Sequence, residues 1–109
     1  MATQRPSQAP LVDRARLDAV TNGDAQIRAE LVELFAQQAR RRVTECCAAA
    51  DGSTELLRAA HALRGSAESF GAPRLAHVAL SLETGAPPPE WRAALGAALD
   101  ATLEELARL

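Results

Sequence analysis

The sequence predicts an all-α protein: an antiparallel four-helix bundle with a short additional N-terminal helix. Three observations carry that expectation. Ala, Leu, Arg and Glu, all strong helix formers, dominate the composition, β-branched residues are sparse, and the aromatic residues are Phe35, Phe70 and Trp91 alone. Four segments repeat apolar residues at steps of three and four, the period of one helix face. Gly, Pro and Asx clusters separate those segments by only a few residues, and a chain of 109 residues has room for one core of modest size.

Residues 1–10, MATQRPSQAP, lack the apolar stretch of a signal peptide and read as a flexible tail ahead of a domain over residues 11–109. A first helix is expected from Val12 to Val20, with Leu17 and Val20 turned inward, and Thr21-Asn22-Gly23 stops it. Asp24 then caps a second helix, Ala25 to Ala49, whose stripe runs through Ile27, Leu31, Leu34, Phe35, Val43, Cys46 and Ala50. Gln38 and Arg42 interrupt that stripe. After Asp51-Gly52, Ser53 or Thr54 caps a third helix that carries Leu56, Ala60, Leu63, Ala67 and Phe70 on one face. Gly71 closes it, and Pro73 suits the first turn of a fourth helix with its stripe at Leu75, Val78, Ala79 and Leu82. Gly85 stops the fourth helix, and Pro87-Pro88-Pro89 forms a stiff link. A fifth helix then presents Trp91, Leu95, Leu99, Thr102, Leu106 and Leu109. Four amphipathic helices with short connections bury their stripes against one another as an antiparallel bundle, and the short first helix caps one end.

The formal net charge of −2 gives no basic footprint for nucleic acid. No apolar run is long enough to span a bilayer, so the expectation is a cytoplasmic protein. All twelve basic residues are arginine, which with the abundance of alanine suggests a GC-rich bacterial genome. Cys46 and Cys47, adjacent on a helix, pair poorly with each other and read as small helix residues, one of them touching the core. No further Cys or His stands at ligand spacing, so neither a metal nor another cofactor is expected.

Chemistry concentrates on the third helix. On a wheel of ~100° per residue with Leu56 at zero, the apolar stripe lies within ~40° of zero and His61 at ~140°. Around His61 lie Arg64 at ~80°, Leu57 at ~100°, Glu68 at ~120° and Gly65 at ~180°. The imidazole is therefore solvent-facing, with a cation at i+3 and no side chain at i+4. A helix-interior glycine costs about 1 kcal/mol relative to alanine, and capping does not explain this one. Gly65 either clears the surface for another molecule or marks close helix packing. An exposed imidazole is an ordinary surface group in most helices and a competent nucleophile near pH 7 where a partner brings an electrophile. Arg64 offers hydrogen bonds to an added phosphoryl oxygen. Glu68 stands at i+4 from Arg64, at pairing distance. Leu57, off the stripe, and Glu68 are candidates for partner docking. His77, the other histidine, faces away from the fourth helix's stripe without a glycine at i+4 and reads as a surface residue. Arg40-Arg41-Arg42 reads as a solvated face.

At these residues a family resemblance enters. The segment AHALRGSAESFGAPRLAHVALSLE, residues 60–83, resembles the signature of histidine-containing phosphotransfer (HPt) domains, approximately H-x-L-K-G-S-[SA]-x-x-[LF]-G-x-x-x-L and ending in L-E. His61, Leu63, Gly65, Ser66, Ala67, Phe70, Gly71, Leu75 and Leu82-Glu83 match in register. The stretch GDAQIRAELVELFAQQA, residues 23–39, resembles the second helix of that family, so the likeness runs from about residue 11 to residue 83. What the resemblance implies is a phosphocarrier of a bacterial two-component phosphorelay, without kinase activity of its own. His61 would take a phosphoryl group, on Nε2, from the aspartyl phosphate of one response-regulator receiver domain and pass it to another. Arg64 and Gly65 would support it. The implied partners are receiver domains and a hybrid sensor histidine kinase, with Mg²⁺ belonging to the receiver. A monomer is expected, since no stripe is surplus to one core.

The family usually has lysine where this chain has Arg64. In a protein without lysine the arginine keeps the charge, though its planar fork meets a phosphoryl group differently. The competing functional class is a non-phosphorylated helical adaptor that binds a receiver or kinase and inhibits it, for which neither His61 nor Gly65 would be required.

Overall fold

A computed structural model describes residues 9–85 and 87–109 as five helices: α1 (Arg14–Thr21), α2 (Ala25–Ala48), α3 (Thr54–Phe70), α4 (Pro73–Glu83) and α5 (Trp91–Ala107). Each start has a local cause. Asp13, Asp24 and Ser53 accept hydrogen bonds from the first free backbone N–H groups of α1, α2 and α3, and Pro73 opens α4 where no N–H is needed. The ends are equally local. Asn22 terminates α1 in the left-handed conformation at φ 53°, and Gly71 terminates α3 at φ 99°.

Helices α2, α3, α4 and α5 close a ring of contacts, α3 being packed most extensively against α4 and then α2. Their short connections make sequential neighbours antiparallel, as expected. The stripes of α3 and α4 are buried throughout, and that of α5 is buried from Trp91 to Leu106 with Leu109 half-buried. Phe35 of α2 and Phe70 of α3 stack with ring centroids 4.3 Å apart. Cys46 lies in this core as a free thiol, and burial pushes it up to about 11. Beside it, at the C-terminal end of α2, Arg92 binds the Cys47 and Ala49 carbonyls at 3.1 and 2.8 Å and the Asp51 carboxylate at 2.8 Å, placing a cation on that helix terminus.

Several inward assignments fail on α1 and α2. Helix α1 starts at Arg14, after the Asp13 cap, and continues to Thr21, which is buried in place of the exposed Val20. Ile27 and Leu34 are exposed, and Leu31 is half-buried. Leu34 faces a groove floored by Gly65, Ser66 and Ser69 of α3, whose small side chains leave it uncovered. Ala50 is exposed because α2 has already ended at Ala48. Two residues assigned to the tail are fixed: Ala9 is buried, its carbonyl accepting from Arg74 Nε at 2.8 Å, and the Pro10 carbonyl accepts from Arg74 N at 3.0 Å. Residues 1–8 of that tail lie outside the described residues.

The α3–α4 turn also anchors α1, for Asp13 N donates to the Gly71 carbonyl at 2.8 Å and Arg16 Nε to the Ser69 carbonyl at 3.1 Å. A Cβ on Gly71 would lie 3.0 Å from the Asp13 carbonyl oxygen and 3.2 Å from Arg16 Cβ, at a φ that L-residues rarely adopt. Gly71→Ala is therefore expected to lower unfolding free energy by about 1–3 kcal/mol in urea titrations. An unchanged midpoint would refute this account of the turn.

Candidate functional site

The turn at Gly71-Ala72 folds α4 back along α3, so that Glu83, the last residue of α4, comes beside His61 in the middle of α3. The core stripe on the opposite face of α3 fixes the helix rotation and leaves the His61 side chain 70% exposed. His61 Nδ1 lies 2.7 Å from Glu83 Oε1. A carboxylate only accepts, so in the neutral ring Nδ1 carries the proton and Nε2 keeps its lone pair.

Arg64 is held by two carboxylates. Its Nε donates to Glu83 Oε2, its Nη1 to the Glu68 carboxylate at 3.2 Å, and its Nη2 to Glu83 Oε1 at 3.5 Å. Nη2 also stands 3.2 Å from His61 Nδ1, but a protonated Nδ1 cannot accept, so the Glu83 carboxylate takes both donors. The Arg64 guanidinium holds the Glu83 carboxyl below its usual range, with the His61 contact acting in the same direction. Arg64 is correspondingly raised by its hydrogen bonds to Glu83 and Glu68.

A depressed folded-state pKa means that the Arg64–Glu83 pair stabilises the fold above the unfolded carboxylate range and loses that contribution as pH falls through the Glu83 value. Thermal melts of Glu83→Gln are therefore expected to lie below wild type at pH 7 and to converge with it once pH has fallen through the depressed Glu83 value. A difference that persists undiminished at low pH would show that the charge of Glu83 is not what matters.

The residues singled out from sequence fall into two sets. His61 and Arg64 are brought together, and the Arg64–Glu68 pair forms as its spacing implied. Leu57 is 40% exposed beside His61, with Thr54 and Arg58 in the same cleft. A Cβ on Gly65 meets nothing within 4 Å, which excludes close helix packing as the reason for this glycine. His77 lies apart from His61, half-buried in a groove with Asp13 and Glu68. Arg41 and Arg42 both reach Glu45 on the solvent face of α2. Glu83 is the residue to which sequence reasoning gave no role. Its signal was present in the Leu82-Glu83 ending of the motif, but only the fold of α4 onto α3 reveals its target. Among the described residues, no three His, Cys, Asp or Glu side chains converge as metal ligands, and no helix is long and apolar enough to cross a membrane.

A helical bundle with one outward imidazole oriented by a carboxylate from the adjacent helix defines a class of carrier domain, in which a histidine is offered to a partner rather than enclosed in a pocket. A family model for the Hpt domain matches residues 30–109, and the chain belongs to the Hpt domain family. No curated protein and no solved structure matches it significantly. Hpt domains carry phosphoryl groups on histidine in phosphorelays, between receiver domains and kinases, and are carriers rather than enzymes.

Proposed function

We propose that this chain is the histidine phosphocarrier of a bacterial two-component pathway and that His61 Nε2 is its acceptor atom. The observation that carries the reading is the 2.7 Å contact between His61 Nδ1 and Glu83, which favours the tautomer that leaves Nε2 unprotonated. In the transfer, the Nε2 lone pair attacks the phosphorus of a receiver aspartyl phosphate, and the phosphorus–oxygen bond breaks with its electrons leaving on the aspartate. The Nδ1 proton stays in place, and the positive charge that develops on the ring is offset by Glu83. Phosphoryl transfer needs positioning and charge compensation more than covalent help from the protein. Mg²⁺ belongs to the receiver's acidic site and no cofactor is assigned to this chain.

The docking face we infer joins Leu57 and Glu68 to the apolar groove between α2 and α3. Leu34, 49% exposed, and Val20 and Leu31 line that groove beside Gly65. Exposed apolar groups grouped next to a reactive side chain suit a transient interface. Incubation with phosphorylated receiver domains and a hybrid kinase, followed by peptide mapping, tests the reading. Acid-labile, base-stable label on the peptide containing His61 is expected. Receiver binding without label would favour the inhibitory adaptor instead.

A further inference from the structure

The phosphoryl group on His61 needs a cation that is still free to bind it. Arg64 was the sequence candidate, yet its donors are committed to Glu83 and Glu68, and its charge is shared between two carboxylates. The next arginine on α3 is Arg58, three residues before His61. It is exposed, it lines the same cleft as His61, Leu57 and Thr54, and among the described residues it forms no ion pair. Side chains three apart on a helix are neighbours, and a helical side chain leans toward the N-terminal turn, so His61 leans toward the turn that carries Arg58. Nδ1 is occupied by Glu83, so a group on Nε2 extends into the open side of that cleft.

We propose that Arg58, rather than Arg64, is the residue that binds the phosphoryl group once it is on His61 Nε2, through its unpaired guanidinium in the cleft the two side chains share. This rests on the reading of His61 as acceptor. Arg58 is a phosphoryl-binding residue and Arg64 a positioning residue, which holds Glu83 against the ring. A planar guanidinium presents parallel N–H donors to phosphoryl oxygens. The division of labour also explains how a neutralised Arg64 coexists with a site that must hold a doubly negative group.

The test uses the full chain carrying His77→Gln, so that His61 is its single histidine. Phosphoramidate loads the ring: the Nε2–P bond forms as the P–N bond of the reagent breaks and ammonia leaves. The phosphorus-31 resonance is then followed against pH. The charged groups about it are Glu83 from α4 and Arg64 and Arg58 from α3, with Glu68 paired to Arg64. A nearby cation favours the dianion, so Arg58→Gln is expected to raise the protonation midpoint of the phosphoryl group by about 0.5 pH unit. Arg58→Lys is expected to restore most of the shift. Arg40→Gln, which removes the same charge from the exposed face of α2, is expected to leave the midpoint in place. The proposal is overturned by an Arg58→Gln midpoint equal to the parent's, by an equal shift in Arg40→Gln, or by a shift confined to Arg64→Gln. A parent chain that forms no phosphohistidine, under conditions where free imidazole is phosphorylated, would overturn the acceptor reading itself.

Discussion

Replacing His61 by glutamine is expected to abolish phosphoryl label from a phosphorylated receiver, while helix content is retained and the melting temperature moves by less than about 8 °C. The two halves of this expectation have separate causes. The side chain is 70% exposed and its polar partner is Glu83 at the rim of the bundle, so the substitution alters at most one solvent-screened contact. Exposed contacts of this kind contribute about 0.2–1 kcal/mol, and for a domain near this size 1 kcal/mol moves the melting temperature by about 4–8 °C. The core stripe of α3 lies on the opposite face and is untouched. Glutamine also keeps a donor for Glu83, so Arg64 and Glu83 stay paired. Its amide nitrogen, however, has no lone pair available to attack phosphorus, and no other group at the site replaces it. His77 lies in a different groove, half-buried beside Asp13 and Glu68, and His77→Gln is expected to accept label as wild type does. Label that survives His61→Gln and disappears in His77→Gln would reverse the assignment.

The bundle and the position of His61 were legible because both follow from periodicity. The stripe of α3 fixes which face is buried, and everything at ~140° from it is outward by geometry alone. Caps were legible for the same local reason: Asp24, Ser53, Gly71 and Pro73 act within their own turns. Failures occur where the outcome depends on what another helix supplies. Leu34 has the spacing of a core residue, yet α3 offers it glycine and serines, so it remains on the surface. The principal partner of Arg64 was hidden for the same reason. Its helical neighbour Glu68 was readable at i+4, but Glu83 reaches it across 19 residues of chain, through the turn at Gly71-Ala72. A pairing that long in sequence has no local signature. The cation left free by it, Arg58, could be recognised only once the partners of Arg64 were known.

Gly65 separates stability from function, and its substitution is expected to move the two in opposite directions. The residue sits inside α3, where glycine is less favourable than alanine by about 0.5–1 kcal/mol, and a Cβ there meets no atom of the fold within 4 Å. Gly65→Ala is therefore expected to raise unfolding free energy by about that amount, read as a higher urea midpoint with an unchanged slope. A natural sequence that keeps the weaker residue at a position with room for a side chain is accepting a loss of stability for some other benefit. One turn from His61, clearance for a docked partner would be such a benefit. Nε2 must reach a phosphorus held on the surface of another folded domain, and a displacement of 1 Å at the reacting atoms costs about 10²-fold in rate. Gly65→Leu, which adds a branched side chain at the lip of the α2–α3 groove, is expected to slow transfer from phosphorylated receiver by about that factor, with Gly65→Ala intermediate. Loading by phosphoramidate, which needs no docked protein, is expected to proceed in both variants at the wild-type rate. That contrast distinguishes obstructed docking from a damaged nucleophile: if phosphoramidate loading fell in parallel with receiver transfer, the glycine would be acting on the imidazole itself. If neither reaction slowed in Gly65→Leu, the open surface at this turn would have no part in the approach of the partner.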